Sequence, residues 1–449
     1  MIDILKKKIK IDEQFQELIS GSSIVFLFRL FGFFSGYLLS YIITNYYGEE
    51  VLGVYSLAFT ILSFVVVLSR LGLDEALVKV ISDLLFQHKE GQAKNAYRKS
   101  VFLVCLNSLV LSFFLYQIAD SVAYWFENEL LIKAIKIMSL ALVPFSLIKV
   151  NADVFRAMKN MQVFSYFQTG SLMMLMSIFI LLGIYLFDPT YYFLFYAFFG
   201  ACIVLLLWSF LLMRNKFPTS EKKMVTYRGL IKISLPMMLT SSMFLALSWT
   251  DTIFLGRYLS EDQVGIYYIA FKLGLIISLS LFAVNSIAGP KFSEYSNDNI
   301  VLKRLALQSV KLNFWSCFPV FIFLLLSGEW LLSLYGFSFI TAKKSLFILA
   351  IGQLYNGLSG SVLTFLNMTG YEKLVSKIIL SAALLNIVLN YYLIPLFHLS
   401  PNFLGIEGAA LSSTICLIYW NTMGLYFVYK HHGFIMFPIP SILRARNEK

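Results

Sequence analysis

Apolar stretches of about twenty residues recur from one end of the chain to the other, separated by short polar or turn-forming segments. A helix needs roughly 20 apolar residues to cross ~30 Å of hydrocarbon. On that basis the pattern predicts membrane-spanning helices at 22–44, 53–73, 98–118, 131–153, 165–187 and 191–213. A second set follows at 231–255, 265–288, 309–327, 342–366, 374–397 and 406–429. Twelve spans is an even number, so both termini fall on one side of the membrane. The polar stretches are too short to hold a soluble domain. The segment MIDILKKKIKIDEQFQELIS has a basic cluster but no apolar core followed by a small-residue cleavage site, so it reads as a cytoplasmic segment and not as a signal peptide.

Lys and Arg give the orientation, because cytoplasmic connections carry an excess of them. One set of segments holds Lys6, Lys7, Lys8 and Lys10, then Lys79, Lys89, Lys94, Arg98 and Lys99, then Arg214, Lys216, Lys222, Lys223 and Arg228. It also holds Lys303, Arg304, Arg444, Arg446 and Lys449. The alternate connections, such as NYYGEEVLG and FDPTYY, carry almost none. The expected organisation is a cytoplasmic segment (1–21), an N-terminal lobe (22–213), a cytoplasmic linker (214–230), a C-terminal lobe (231–429) and a cytoplasmic tail (430–449). Composition agrees: 59% of residues are hydrophobic, only 14% are charged, and mean hydropathy is +0.75. The net charge of +11 follows from the topology and calls for no nucleic-acid partner.

The two sets of six spans repeat each other. YYGEEVLGVYSLAF (46–59) matches RYLSEDQVGIYYIAF (257–271) at a constant offset that pairs Glu49 with Glu261, Gly53 with Gly265 and Tyr55 with Tyr267. VFRAMKN (154–160) and TFLNMTG (364–370) pair at nearly the same offset. Six is even, so the halves have parallel topology about an axis along the membrane normal, an arrangement that places a transporter's site between its halves. RLFGFFSGYLLSYIITNYYGEEVLGVYSLAFTILSFVVVLSRLGLDEALVK (29–79) and SLPMMLTSSMFLALSWTDTIFLGRYLSEDQVGIYYIAFKL (234–273) resemble the polysaccharide biosynthesis family. That family lies within the multidrug/oligosaccharidyl-lipid/polysaccharide exporter superfamily and includes the O-antigen flippases. The resemblance implies an all-α fold of two six-helix lobes around a central cavity and alternating access. It implies undecaprenyl-pyrophosphate-linked oligosaccharide as substrate, the bacterial cytoplasmic membrane as location, and polysaccharide polymerase and chain-length proteins as partners. Twelve spans, against the fourteen usual in lipid II flippases, points to the oligosaccharide branch.

No enzyme chemistry stands out. There is no G-x-x-x-x-G-K-[ST] loop to cradle phosphate, no D-x-D and no H-E-x-x-H. His88, His398, His431 and His432 fall at span ends or in connections, and Cys105, Cys202, Cys317 and Cys416 lack disulfide or metal spacing. No cofactor or metal is expected. The alternatives are an ion-coupled multidrug extruder of the same superfamily, which wants an acidic cavity, and a membrane-embedded polymerase or ligase, which wants a large outer loop.

Ionisable groups inside spans are costly and point to function. Arg29 lies seven residues into the first span, ~10 Å deep, where a guanidinium can fork onto phosphate oxygens. Lys272, Lys149 and Arg70 are further candidates for binding the anion. Lys272 has Asp251 as its obvious structural ion-pair partner, and Lys149 has Asp153 four residues on. Asp251 and Asp153 are thus coupling or ion-pair candidates, and interhelical hydrogen bonding is the equal alternative for Asp251. Gln353 with Asn356, and Asn386 with Asn390, are candidates for sugar hydroxyls or for tying helices together.

Overall fold

The computed structural model describes residues 13–168, 170–187, 190–214, 216–217, 226–296 and 298–437. Most of the expected linker, the far N-terminus and the end of the tail therefore lie outside the described residues. Among the described residues the regular elements are helices alone. The fold is all-helical, with helices long and apolar enough to cross a membrane.

The first helix, α1 (Glu13–Arg70), joins two expected spans through Gly48, whose φ of 86° and ψ of 174° break the helical path. A Cβ at Gly48 would meet nothing within 4 Å, so the demand there is conformational, not steric. The second expected span stops at Arg70 rather than at residue 73. Leu71 and Gly72 both take positive φ, and α2 (Leu73–Phe86), which the sequence reading left as part of a connection, leaves in a new direction. Next come α3 (Glu90–Phe126), α4 (Leu130–Ala157), α5 (Met161–Gln168), α6 (Ser171–Leu186) and α7 (Phe193–Met213). Helices α5 and α6 form a single expected span bent by 49°.

The second half begins with α8 (Tyr227–Tyr258) and α9 (Glu261–Leu275). A 3₁₀ turn (Ile276–Ser278) leads into α10 (Leu279–Glu294), then α11 (Asn299–Ser333). Another 3₁₀ turn (Phe337–Ala342) precedes α12 (Lys343–Ser359). Then α13 (Val362–Met368), α14 (Glu372–His398) and α15 (Gly405–His432) complete the fold. Among the described residues seven helices are long and apolar enough to cross a membrane by themselves, and the bent α5–α6 pair makes an eighth.

Lipid as solvent inverts the usual pattern of burial. On α3 the buried face is small, with Ala93, Ala96, Ser100, Ser108, Ala119 and Ala123 turned inward. Phe102, Leu106, Leu109 and Phe113 project from the opposite face. Small residues let helices approach closely where no water drives them together. Helices α1 and α4 are the central ones, with 72% of their apolar windows buried, against 22% for α3.

The two halves of the chain meet along α1 and α9. A Cβ on Gly53 would lie 1.8 Å from the backbone oxygen of Glu261, and one on Gly265 would lie 2.3 Å from that of Glu49. These are the residues the repeat pairs, now touching reciprocally: each glycine receives the other half's glutamate backbone.

Candidate functional site between the two halves

Arg29 and Gly36 are two helical turns apart on α1, and Lys272 on α9 reaches the same face. The Arg29 guanidinium sits 4.0 Å from the centroid of the Phe282 ring on α10. The Lys272 ammonium donates to the Gly36 carbonyl at 2.9 Å and to Ser40 Oγ at 2.8 Å, and lies 4.5 Å from the Tyr268 ring centroid. Tyr37 donates in return to the Lys272 carbonyl. Gly36 is small for a reason: a Cβ there would stand 3.2 Å from Met173 Sδ and 3.5 Å from Lys272 Nζ. Among the described residues neither Arg29 nor Lys272 has a carboxylate within ion-pairing distance. At ~1.5 Å per residue, Arg29 and the Gly36 carbonyl that Lys272 reaches are ~10 Å apart along α1.

The ion pair expected between Lys272 and Asp251 does not form. Asp251, on α8, is 3% exposed and points into the second half. It accepts from Tyr267 Oη at 2.7 Å, Asn390 Nδ2 at 2.7 Å and Asn386 Nδ2 at 3.2 Å, and also from Ser413 Oγ. Three helices thus supply four donors to one carboxylate, with no cation beside it among the described residues. Asn386 and Asn390 are fully buried against it, and their amides donate to the carboxylate, so in this structure they tie helices together. Only Asn390 Oδ1 is left without a partner.

The second expected pair also fails. Lys149 donates to the Gln168 carbonyl at 3.0 Å, where α5 ends, and Asp153 lies 3.6 Å from Arg156, which also reaches Glu75. Arg70 is held by Asp74 at 2.5 Å, one turn on, so it is not free to meet an anion. Asn356 accepts from Asn421 at 3.0 Å, a tie between α12 and α15. Gln353 is buried with its Oε1 unpartnered. Among the described residues no group of His, Cys, Asp or Glu is arranged to hold a metal.

Arg29 on α1 and Lys272 reaching α1 from α9 thus lie along one stretch of that helix, while Arg70 and Asp153 have charged neighbours and Lys149 bonds the Gln168 carbonyl. The structure adds Ser40, Tyr37, Tyr267 and Ser413, which sequence reasoning passed over. Ser40 follows Gly36 by one helical turn, and Tyr267 stands in the repeated string, so both had a signal. Ser413 had none.

Residues 10–296 match the family model described as polysaccharide biosynthesis protein. The chain belongs to that family. A second model, MatE, matches residues 236–392 of this polysaccharide biosynthesis family member, within its second half. An uncharacterised membrane protein of Methanocaldococcus jannaschii is 22% identical over 423 residues, covering 86% of this chain and 79% of the relative. A probable low-salt glycan biosynthesis flippase of Haloferax volcanii is 27% identical over 230 residues, covering 49% of this chain and 46% of the relative.

Among solved structures, an inward-facing multidrug resistance MATE family transporter superposes with a TM-score of 0.74 at 16% identity, over 88% of this chain and 93% of that one. The lipid II flippase MurJ in an inward closed conformation gives 0.72 at 15% identity, over 91% and 87%. At such identity these neighbours establish the fold, and the fold hosts more than one kind of cargo.

Proposed function

We propose that this family member is a flippase that moves a lipid-linked oligosaccharide from the cytoplasmic to the outer leaflet. Two six-helix lobes, 22–213 and 231–429, alternate about an axis along the membrane normal, with both termini cytoplasmic. The observation that carries the reading is the pair Arg29 and Lys272: two cations without carboxylate partners among the described residues, one on α1 and one reaching α1 from α9, where the halves meet. A carrier of organic cations wants the opposite charge there. A phosphate or pyrophosphate headgroup would meet Arg29 first and pass to Lys272, which gives up its neutral carbonyl and hydroxyl partners for a charged one. The polyprenyl tail stays in lipid. The flippase-named relative supports the glycan part of the reading.

In a bacterial host the substrate is undecaprenyl-pyrophosphate-linked repeat units for O-antigen or a similar polymer, with polymerase and chain-length proteins downstream. Outward movement of negative charge is favoured by ~2.3 kcal/mol per charge per 100 mV of inside-negative potential. Asp251 is the group through which an ion gradient would add to this, since protonation or a bound cation would compete with its four donors.

The test is reconstitution in liposomes with a fluorescently labelled lipid-linked oligosaccharide. We expect outward exchange that stops when Arg29 and Lys272 are both neutralised. Export of cationic dyes by the same preparation, with no exchange of the glycolipid, sinks the reading in favour of the extruder.

A further inference from the structure

A cavity of about 740 Å³ lies where the α3–α4 connection meets the end of α8. By the charge asymmetry of the connections this face is the outer one. Asp120, Trp125, Glu127, Asn128 and Glu129 line it from the first half, and Arg257 from the second. Arg257 bonds Glu127 at 2.7 Å and sits 5.9 Å from the centroid of the Trp125 ring, so the cavity straddles the two halves. Trp125 is 51% exposed and the neighbouring Tyr124 85%. Asn128 is the informative residue. It is 4% exposed, and its Oδ1 accepts from the Leu131 amide at 3.2 Å, but its Nδ2 has no partner. A buried amide donor left unpaired is costly, and it calls for an acceptor.

The chemistry narrows the occupant. Asp120 is paired with Lys136 at 2.9 Å and Glu127 with Arg257, so their remaining lone pairs and Glu129 accept hydrogen bonds, while the Asn128 amide and Arg257 donate them. An organic cation satisfies only the carboxylates. An anion satisfies only the donors. A hydroxyl does both at once, and an aromatic face beside polar groups suits a ring with an apolar side. No metal fits, since the acidic side chains here do not converge on one point.

We propose that this cavity is a saccharide subsite on the outer face, which holds the sugar chain of the cargo after its headgroup has crossed. Trp125 is the platform, and Asn128 and the carboxylates set the orientation. Because Arg257 clasps Glu127 across the halves, a sugar that takes over Glu127 loosens the clasp. Occupancy is then coupled to separation of the outer ends. The assignment of a glycan cargo rests on the flippase reading; the cavity's preference for a polyol does not.

The experiment uses the full chain in nanodiscs and follows tryptophan fluorescence. The probes are soluble oligomers of glucose, galactose, mannose and N-acetylhexosamine, with tetraphenylphosphonium as the cation control. At least one oligosaccharide should quench saturably. The response should vanish in Trp125→Phe and need at least ten-fold more sugar in Asn128→Ala, with no response to the cation. Failure of every oligosaccharide to give a Trp125-dependent signal, or a signal from the cation alone, overturns the subsite. Glycolipid exchange in liposomes is scored separately. A wild-type protein that exchanges glycolipid but binds no soluble sugar loses the subsite and keeps the flippase function. One that binds sugar at Trp125 but exchanges no glycolipid keeps the subsite and loses that function.

Discussion

Arg29 and Asp251 are both ionisable groups inside helices, and the structure sets them in opposite situations. Arg29 stacks on Phe282 and has no carboxylate to strand. A cation–π contact of this kind is worth ~0.5–2 kcal/mol, so Arg29→Ala should leave the amount of folded protein in the membrane near normal. Glycolipid exchange should fall at least ten-fold, and Arg29→Lys should keep part of it, because the charge remains while the planar fork is lost. Full exchange by Arg29→Ala at normal protein level would remove Arg29 from the path. Asp251 is the reverse case. Its four donors are left facing nothing in Asp251→Ala, at ~1–3 kcal/mol for each buried group stranded. We expect a clear fall in melting temperature in detergent, smaller for Asp251→Asn, which keeps one acceptor oxygen. Equal melting temperatures for Asp251→Ala and the wild type would mean that the network contributes nothing to stability. The sequence made both residues visible, because a charge in an apolar run stands out at once. It left the partner of Asp251 open between Lys272, a coupling ion and interhelical hydrogen bonds, because uncharged donors such as Tyr267 and Ser413 look ordinary in sequence.

At the scale of elements, spans were legible wherever hydropathy alone defines them, and their breaks were not. Gly72 and Gly360 each end a helix at positive φ, yet the expected spans 53–73 and 342–366 contain them. Gly72 shows the cause. A Cβ there would stand 2.3 Å from the Ser234 carbonyl on α8, so the turn between α1 and α2 is fixed by contact with the other half of the chain. A long-range constraint of this sort leaves no local mark. The repeat was legible and turns out to be a contact. Gly53 and Gly265 admit Glu261 and Glu49 backbone at distances no side chain tolerates. Gly53→Val and Gly265→Val should each force α1 and α9 apart. The expected result is increased labelling of a cysteine introduced at Glu49 by a membrane-impermeant maleimide, with the protein still inserted. Unchanged labelling in both variants would show that the crossing does not close the outer ends.

At the scale of the whole molecule, three of the contacts between halves differ in strength. The glycine crossing of α1 and α9 is backbone against backbone and has no slack. The Arg257–Glu127 pair is solvated, and pairs of that kind contribute ~0–1 kcal/mol. The Lys272 bonds to Gly36 and Ser40 lie deeper and are made to neutral groups, which an anionic headgroup can displace. A transporter that rocks must break the first two in each cycle, while the cargo itself replaces the third. Arrest of the outer ends should therefore stop transport even with Arg29 and Lys272 intact. In a background where Cys105, Cys202, Cys317 and Cys416 are replaced, cysteines placed at Glu49 and Glu261 flank the crossing. A thiol-cleavable linker with a reach of about one helical turn, ~5.4 Å, should join them. Linked protein should exchange glycolipid at under a tenth of the unlinked rate and recover on cleavage. A single-cysteine control treated alike should be unaffected, which separates arrest from chemical damage. Exchange at the full rate by protein shown on a gel to be linked would mean that the outer ends do not part during transport. The cargo would then need a route that leaves the α1–α9 crossing closed, and the reciprocal glycines would be a permanent joint between the halves.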